Sequence, residues 1–447
     1  MIKYLALIIL VICCGSAYCQ SQVQVSLKEA VELALKNKPS LKRASLDGSI
    51  ARQSLEQSKR KYIPEITSEI AIQYNPIIPT SIIPIGQFNP QNPTLDTRAV
   101  KFGLPWSNTA GITARQVIFD PSLQNEIKER KIDLAISELN RLSEEDQLTY
   151  QVLKSYFGVL LAQEEVKFAK ADTSRAYQLH NVAKNRFQGD QTKISDRNQA
   201  TYNLEKARYN FIRVTSNLEL AFYELCFAIG LPQETPLELT TGFNEFFPFD
   251  NTDLLDSASL LQQVDFKKAV YQNQLYDQKI KSEKAKLLPI LTFNGFLGAN
   301  QFTQQVNFNE QNSWFGNSFL NLNLQLPITG YFTKAKKIEQ YQSQKDQIYY
   351  QLQEMKAKYD FESRVISTKL RTLRKSYELQ ISELDLSRMN FELAKNQFME
   401  GQVLPNEIYI QEANLQQSQY QLISVMYDLM IQNLELQRLN GFIKGSN

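Results

Sequence analysis

Histidine is almost missing from this chain: His180 is the only one in 447 residues. There are four cysteines, and Cys13, Cys14 and Cys19 fall in the first 19 residues. A lone Cys226 supports neither a disulfide framework nor a metal cluster, and reads as a small core residue on an apolar helix face. Glycine (16) and proline (15) are few for the length. An excess of one charge sign is also absent. The net charge of +2 gives no electrostatic case for nucleic acid. No nucleophile elbow, HExxH, Walker loop or dinucleotide fingerprint occurs, and no pair of carboxylates sits in a context that would shift its pKa. His180 lies on a polar helix face, where neither a ligand nor a base role is expected. The chain is therefore expected to be no enzyme and to carry no cofactor and no metal. Beyond residue 19, no apolar run approaches the ~20 residues a membrane-spanning helix needs. A chain of this kind could cross a bilayer only as a β-barrel.

What is present begins with a secretory signal over residues 1–19. Lys3 supplies the positive end, Leu5–Ile12 the apolar core, and Ala17, Tyr18 and Cys19 a cleavage site, leaving Gln20 first. Tyr18 and Ile12 stand where a lipoprotein signal has a small residue before its cysteine, so lipidation is not expected. The hydrophobic content of 43% supports a buried core, and the length suffices for two or three domains.

The remainder is a duplication. Sliding the chain by 211 residues brings Phe398 onto Phe187, Glu407 onto Asp196, Asn414 onto Asn203 and Gly441 onto Gly230. Eleven of the 44 positions so aligned are identical. A second correspondence, offset by 225, joins Lys42/Lys267, Ala44/Ala269, Gln53/Gln278, Lys61/Lys286 and Pro64/Pro289. The first repeat covers residues 20–230 and the second 251–441. A linker lies between them at 231–250 and a frayed tail follows at 442–447.

Each repeat opens with helices. Ser26 and Glu29 form a capping box ahead of the stripe Leu27, Ala30, Val31, Ala34. After a break at residues 37–40, a second helix runs from Leu41 to Lys61; the counterpart of the whole stretch Ser26–Lys61 is Thr252–Lys286. Both helices end in Lys-x-x-Pro and give way to a period of two. Strands are expected at about 64–75, 109–119, 289–300 and 317–327. In the last, Leu320, Leu322, Leu324 and Leu326 alternate with Asn321, Asn323 and Gln325, the ~10-residue dyad of a transmembrane strand with a lipid face and a lumen face. The loop between the first two strands, 75–108, holds six prolines. From each second strand a long helix departs, Pro121 to about Phe187 and Tyr331 to about Phe398, some 67 residues or roughly 100 Å. Ile338, Tyr341, Ile348, Leu352, Met355 and Tyr359 keep the 3/4 spacing of a coiled-coil seam. Such aromatics are more simply seam residues than stacking platforms. A tight tip and a return helix complete the hairpins at 121–229 and 331–440. Gly401 stops one helix and Pro405 opens the next.

Four strands cannot close a barrel and an open edge cannot sit in lipid, so the chain is expected to oligomerise; three copies would give twelve strands. The order and spacing of Asn37–Leu41, Lys61–Pro64, Lys286–Pro289, Leu326–Gly330 and the tip Phe398–Gly401 followed by Glu407 resemble the TolC-type outer membrane efflux protein family, over essentially the whole mature chain. The resemblance implies an α+β membrane protein: a homotrimeric, twelve-stranded β-barrel in outer-membrane lipid, continued by an α-helical coiled-coil tunnel across the periplasm. Its expected partners are a periplasmic adaptor and an inner-membrane pump, for efflux or type I secretion. A secreted coiled-coil scaffold or adhesin without a barrel is the alternative.

The family's tip has a basic or polar residue two positions after the glycine and acidic residues six and nine after it. Those positions are Val403, Glu407 and Ile410 here, so one carboxylate ring is kept and Ile410 becomes an apolar constriction. Glu407, Asp196, Ile410 and Val403 are the expected pore gate. Phe187, Gly189, Phe398 and Gly401 are the expected adaptor-docking tips. Gly189 comes one residue early relative to Phe187, which predicts a different turn in the first tip. Glu407 also suits the helix dipole in any fold.

Overall fold

A computed structural model describes residues 23–85, 96–246, 257–305 and 313–441. The expected signal, the tail and parts of the strand-connecting loops and the linker lie outside the described residues. The chain divides into two compact units, Ser49–Ile136 with Tyr271–Tyr349, and Met1–Gly48 with Ser137–Val270 and Tyr350–Asn447.

The first of these units is built on one antiparallel sheet. Its strands are β2 (Glu65–Tyr74), β5 (Trp106–Phe119), β7 (Ile290–Thr303) and β8 (Trp314–Gln325), side by side in that order. The second strand of one repeat thus pairs with the first strand of the other. Ile66 pairs with Ala114, Ala114 with Gly295 and Gly295 with Leu320, so the register puts these four on one face. The same parity carries Ile70, Ile112, Leu297, Leu322 and Leu324 to that face, all exposed. The opposite face bears Glu65, Glu69, Thr113, Arg115, Asn294, Asn321 and Asn323. Strong exposure of large apolar residues on one face of a sheet marks a surface meant for a non-aqueous neighbour.

One close approach on the polar face needs glycine. Gly111 pairs with Gly298 under the Phe296 ring, and a Cβ on Gly298 would come within 2.4 Å of the Ala110 carbonyl oxygen. A register shift between Val117 and Phe119 ends the regular pairing of β5, so Ile118 leaves the row formed by Ile112 and Ala114. The loop between β2 and β5 holds an element that the sequence reading missed: strands β3 (Thr80–Ile83) and β4 (Arg98–Lys101) pair antiparallel. At the two Lys-x-x-Pro sites, Lys61 donates to both carboxylate oxygens of Glu126 at 2.8 Å, and Lys286 donates to Glu283 at 2.7 Å.

The second unit is helical. Helix α1 (Leu27–Asn37) starts at Ser26, where the capping box forms in full, and α2 (Pro39–Arg60) follows, belonging to this unit only up to Gly48. Parts of α3 (Pro121–Gln188) and α6 (Gly330–Met399) join the return helices α4 (Ile194–Ile229) and α7 (Pro405–Leu439). Its main core gathers Ala30, Val31 and Ala34 of α1 with Val152, Tyr156, Leu160, Leu225, Ile229 and Met430. Cys226 is buried there, 1% exposed. The linker expected at 231–250 is more than a connector. Its residues Leu237–Leu239 form β6, which pairs in parallel with β1 (Val23–Val25). Three-residue strands carry no visible alternation, so only pairing in space reveals them. Helix α5 (Val264–Ala285), which belongs to this unit only up to Val270, is shorter than expected and is preceded by a 3₁₀ turn at Ser257–Gln262.

Candidate functional site

The two helix tips lie in the helical unit and close in the same way. At the second tip, Glu400 N–H donates to Asn396, Gly401 to Phe398 and Gln402 to Gln397. At the first tip, shifted by 211, Gly189 donates to Asn185, Asp190 to Phe187 and Gln191 to Arg186. The 6→1 bond of each set is the closure of a Schellman turn, which demands a left-handed residue just past the helix. Gly401 takes it with φ +77°, and Asp190 takes it with φ +54°. The expectation of a different first turn is therefore corrected. The turn is the same, its left-handed position is filled by aspartate, and Gly189 sits one place earlier. Aspartate is among the few side chains that tolerate this region.

The two tip phenylalanines have different surroundings. Phe398 is 1% exposed and packs in a cluster with Leu179, Leu384, Phe391, Ile408 and Leu415. It cannot itself offer a docking surface; it anchors the turn from beneath. Phe187 is half-buried under the Arg197 guanidinium, 4.7 Å from its ring centroid. Under the duplication, Arg197 corresponds to Ile408. A polar cover in one repeat stands where an apolar plug stands in the other.

Arg186 links the tips and was not found from the sequence. Its Nη2 donates to the Phe398 carbonyl at 2.5 Å and the Met399 carbonyl at 3.2 Å, and the guanidinium lies 4.6 Å from the Phe398 ring centroid. It gives the Phe398 carbonyl a second donor beside Gly401 and supplies one to the Met399 carbonyl at the end of α6. A basic residue in the last turn of α3 was the available signal.

Of the expected gate residues, Glu407 and Ile410 are exposed and Val403 packs partly against the Phe398 cluster. Asp196 accepts from Thr192 Oγ1 at 2.7 Å and Ser195 Oγ at 3.3 Å. The Thr192 bond chiefly holds its carboxyl below the usual range. Within one chain, then, Asp196 is tied into its own helix start while Glu407 and Ile410 present free side chains on the first turns of α7. His180 Nδ1 lies 3.4 Å from Thr201 Oγ1. Farther along α7, Glu412 and Tyr409 face Asp172 and Arg175 of α3, a buried group that the sequence reading also missed because no local pattern joins residues so distant.

Among the described residues no helix is long and apolar enough to cross a membrane. Residues 30–231 match the family model described as outer membrane efflux protein. No curated protein matches the sequence. Several solved structures share the fold, among them three channel proteins. CusC, from a study of its folding and transmembrane channel formation, is 16% identical, with 96% of each chain covered and a TM-score of 0.77. The Campylobacter jejuni CmeC outer membrane channel is 17% identical over 94% of this chain and 87% of that one, with a TM-score of 0.73. The open-state Neisseria gonorrhoeae MtrE outer membrane channel is 15% identical over 93% and 89%, with a TM-score of 0.75. None of these likenesses supports a secreted scaffold or adhesin. The first repeat is thus similar to the outer membrane efflux protein family, and the fold along nearly the whole chain is shared with these channel structures.

Proposed function

We propose that this chain is the outer-membrane exit duct of a tripartite efflux or type I secretion system, passive in itself and driven by an inner-membrane pump through a periplasmic adaptor. The observation that carries this reading is the open four-stranded sheet, with one apolar and one polar face, joined to paired helical hairpins. Among the described residues, strands β2 and β8 each leave one backbone edge unpaired. Such an edge is not tolerated in lipid, and three copies of four strands make a twelve-stranded closed barrel, within the known range. The apolar face would meet lipid and the polar face the lumen. The hairpins would form the coiled-coil tunnel in the periplasm.

At the tips, Glu407 with Asp196 would form the polar part of a gate, and Ile410 and Val403 its apolar collar. The exposed turns at Gly189 and Gly401 would receive the adaptor, held in place by Phe187 and Phe398. Nothing in this arrangement performs chemistry.

The barrel is tested by paired substitutions at neighbouring positions of β8. Leu322→Arg should lower the yield of heat-modifiable trimer in the outer-membrane fraction, with a cost of about 2–4 kcal/mol near the midplane. Asn323→Arg should assemble and change conductance. Equal assembly of both variants would remove the barrel assignment. For the gate, Glu407→Ala should raise leak to large antibiotics and reduce cation preference in single-channel recordings.

A further inference from the structure

Roughly two turns into α7, helices α3, α4 and α7 border a polar cavity of about 200 Å³, lined in part by Asp172, Asn203, Tyr409, Glu412 and Gln416. Two carboxylates are buried in its wall: Asp172 is 2% and Glu412 5% exposed. Asp172 is ion-paired with Arg175 one turn along α3, and the Arg175 guanidinium also stands 5.6 Å from the Phe391 ring centroid of α6. Among the described residues Glu412 has no such partner. Its Oε1 is buried without a hydrogen bond, and so is the Tyr409 hydroxyl one turn before it on the same helix.

Counting the group as ionised, two carboxylates face one guanidinium, and a single negative charge remains inside the protein. The charges that act on Glu412 are those of Arg175 and Asp172. Lys206 of α4 also lines the cavity, but it is exposed to solvent. Asp196, on the first turn of α4, acts on Tyr409. A buried, unpaired carboxylate is costly, and only a proton or a cation can relieve it. Burial pushes Glu412 up to about 7 and Asp172 up to about 6. Above neutrality the proton is therefore lost and the charge stays uncompensated.

We infer that this cavity is a binding site for one monovalent cation, held by the Glu412 carboxylate and the Tyr409 hydroxyl oxygen. The donors are hard oxygens, suited to such an ion. One missing unit of charge matches one monovalent ion, and among the described residues no group of three or more His, Cys, Asp or Glu gathers as a divalent site would require. A cation here would tie together the Tyr409 and Glu412 side chains of α7 in the cavity and stabilise the helical unit behind the tips. Such a site is independent of what passes through the protein.

The test uses the full chain purified in detergent. At about pH 8, raising potassium or sodium at constant ionic strength, with choline as the balancing ion, should raise the thermal midpoint of the wild type. At about pH 5.5, where protonated Glu412 needs no counterion, the midpoint should not respond. Glu412→Gln should be unresponsive at both pH values, and Tyr409→Phe should need about tenfold more potassium for the same shift. In crystals, thallium as a potassium surrogate should give an anomalous peak beside Glu412 that the Glu412→Gln variant lacks. A midpoint that follows pH but ignores potassium and sodium would overturn the site and leave simple protonation. Loss of stability in Lys206→Met at about pH 8, with no cation response in the wild type, would overturn it in favour of an internal lysine counterion.

Discussion

The two hairpin tips share one backbone and differ in what holds it. Both close with the same three hydrogen bonds and a left-handed residue. Beneath the second tip lies an apolar plug, in which Phe398 and Ile408 are buried to 1% and 0% exposure. Beneath the first, Phe187 is only half-covered, by Arg197, and Asp196 is fastened to Thr192. Duplication preserved the turn because its geometry depends on backbone bonds. The support diverged because either an apolar or a polar filling can hold that geometry. A tip held by packing resists local opening more than one held by solvent-exposed polar contacts, since surface ion pairs and cation–π contacts contribute little. The first tip is therefore the more compliant of the two.

The strongest way to break this comparison is to empty each tip in turn. Phe398→Ala should destabilise its tip by about 3–5 kcal/mol, seen as faster amide hydrogen exchange across residues 394–410. Phe187→Ala should cost about 1–2 kcal/mol, since its ring is half-buried and its Arg197 contact is exposed. Equal acceleration at both tips would mean that their supports are equivalent.

A smaller effect separates the left-handed positions. Gly401→Ala places a Cβ at φ +77° and should cost roughly 1–2 kcal/mol, although no neighbouring atom lies within 4 Å of that Cβ. Asp190→Gly should instead gain a few tenths to about 1 kcal/mol. Exchange rates of the amides at 189–191 and 400–402 read both changes. A loss on Asp190→Gly would show that the aspartate side chain contributes to the turn beyond its backbone tolerance.

The smallest effect is in acid. The carboxyl of Asp196 is held below its ordinary range by Thr192, so the folded state binds its proton more weakly than the unfolded state. Its contribution is present above the ordinary aspartate value of about 3.9 and is lost as pH falls through the depressed folded value. Being only partly buried and screened by solvent, it should amount to about 0.3–1 kcal/mol at most. Acidification below about pH 4 should thus loosen residues 190–197 relative to their state at neutrality, and Asp196→Asn should remove that dependence. Chemical-shift changes of the same size in wild type and variant would refute it.

How far these features could be read in advance depends on the range of the interactions. The capping box at Ser26, the strand alternation at Leu320–Gln325 and the stop at Gly401 are set by residues within a few positions of one another, and they stand in the sequence as spacing. The duplication was legible for the same reason: two copies of the same local pattern align without gaps. The left-handed Asp190 was hidden by a neighbouring glycine, which drew the turn one residue early. Strands β1 and β6, and the hairpin of β3 with β4, were missed because three or four residues show no period.

Chain order and local periodicity by themselves determined the repeat, the paired dyads, the long helices and the sites of their tips, since each follows from backbone bonds and amphipathic spacing along one segment. The tertiary structure decided which side chains meet across segments. It placed β5 against β7, so that the two repeats share one sheet, and it set Arg186 on the carbonyls of Phe398 and Met399. It also buried Glu412 near Asp172 and Arg175, more than two hundred positions away along the chain. Charge compensation and burial depend on neighbours in space, and no spacing along a single helix encodes them.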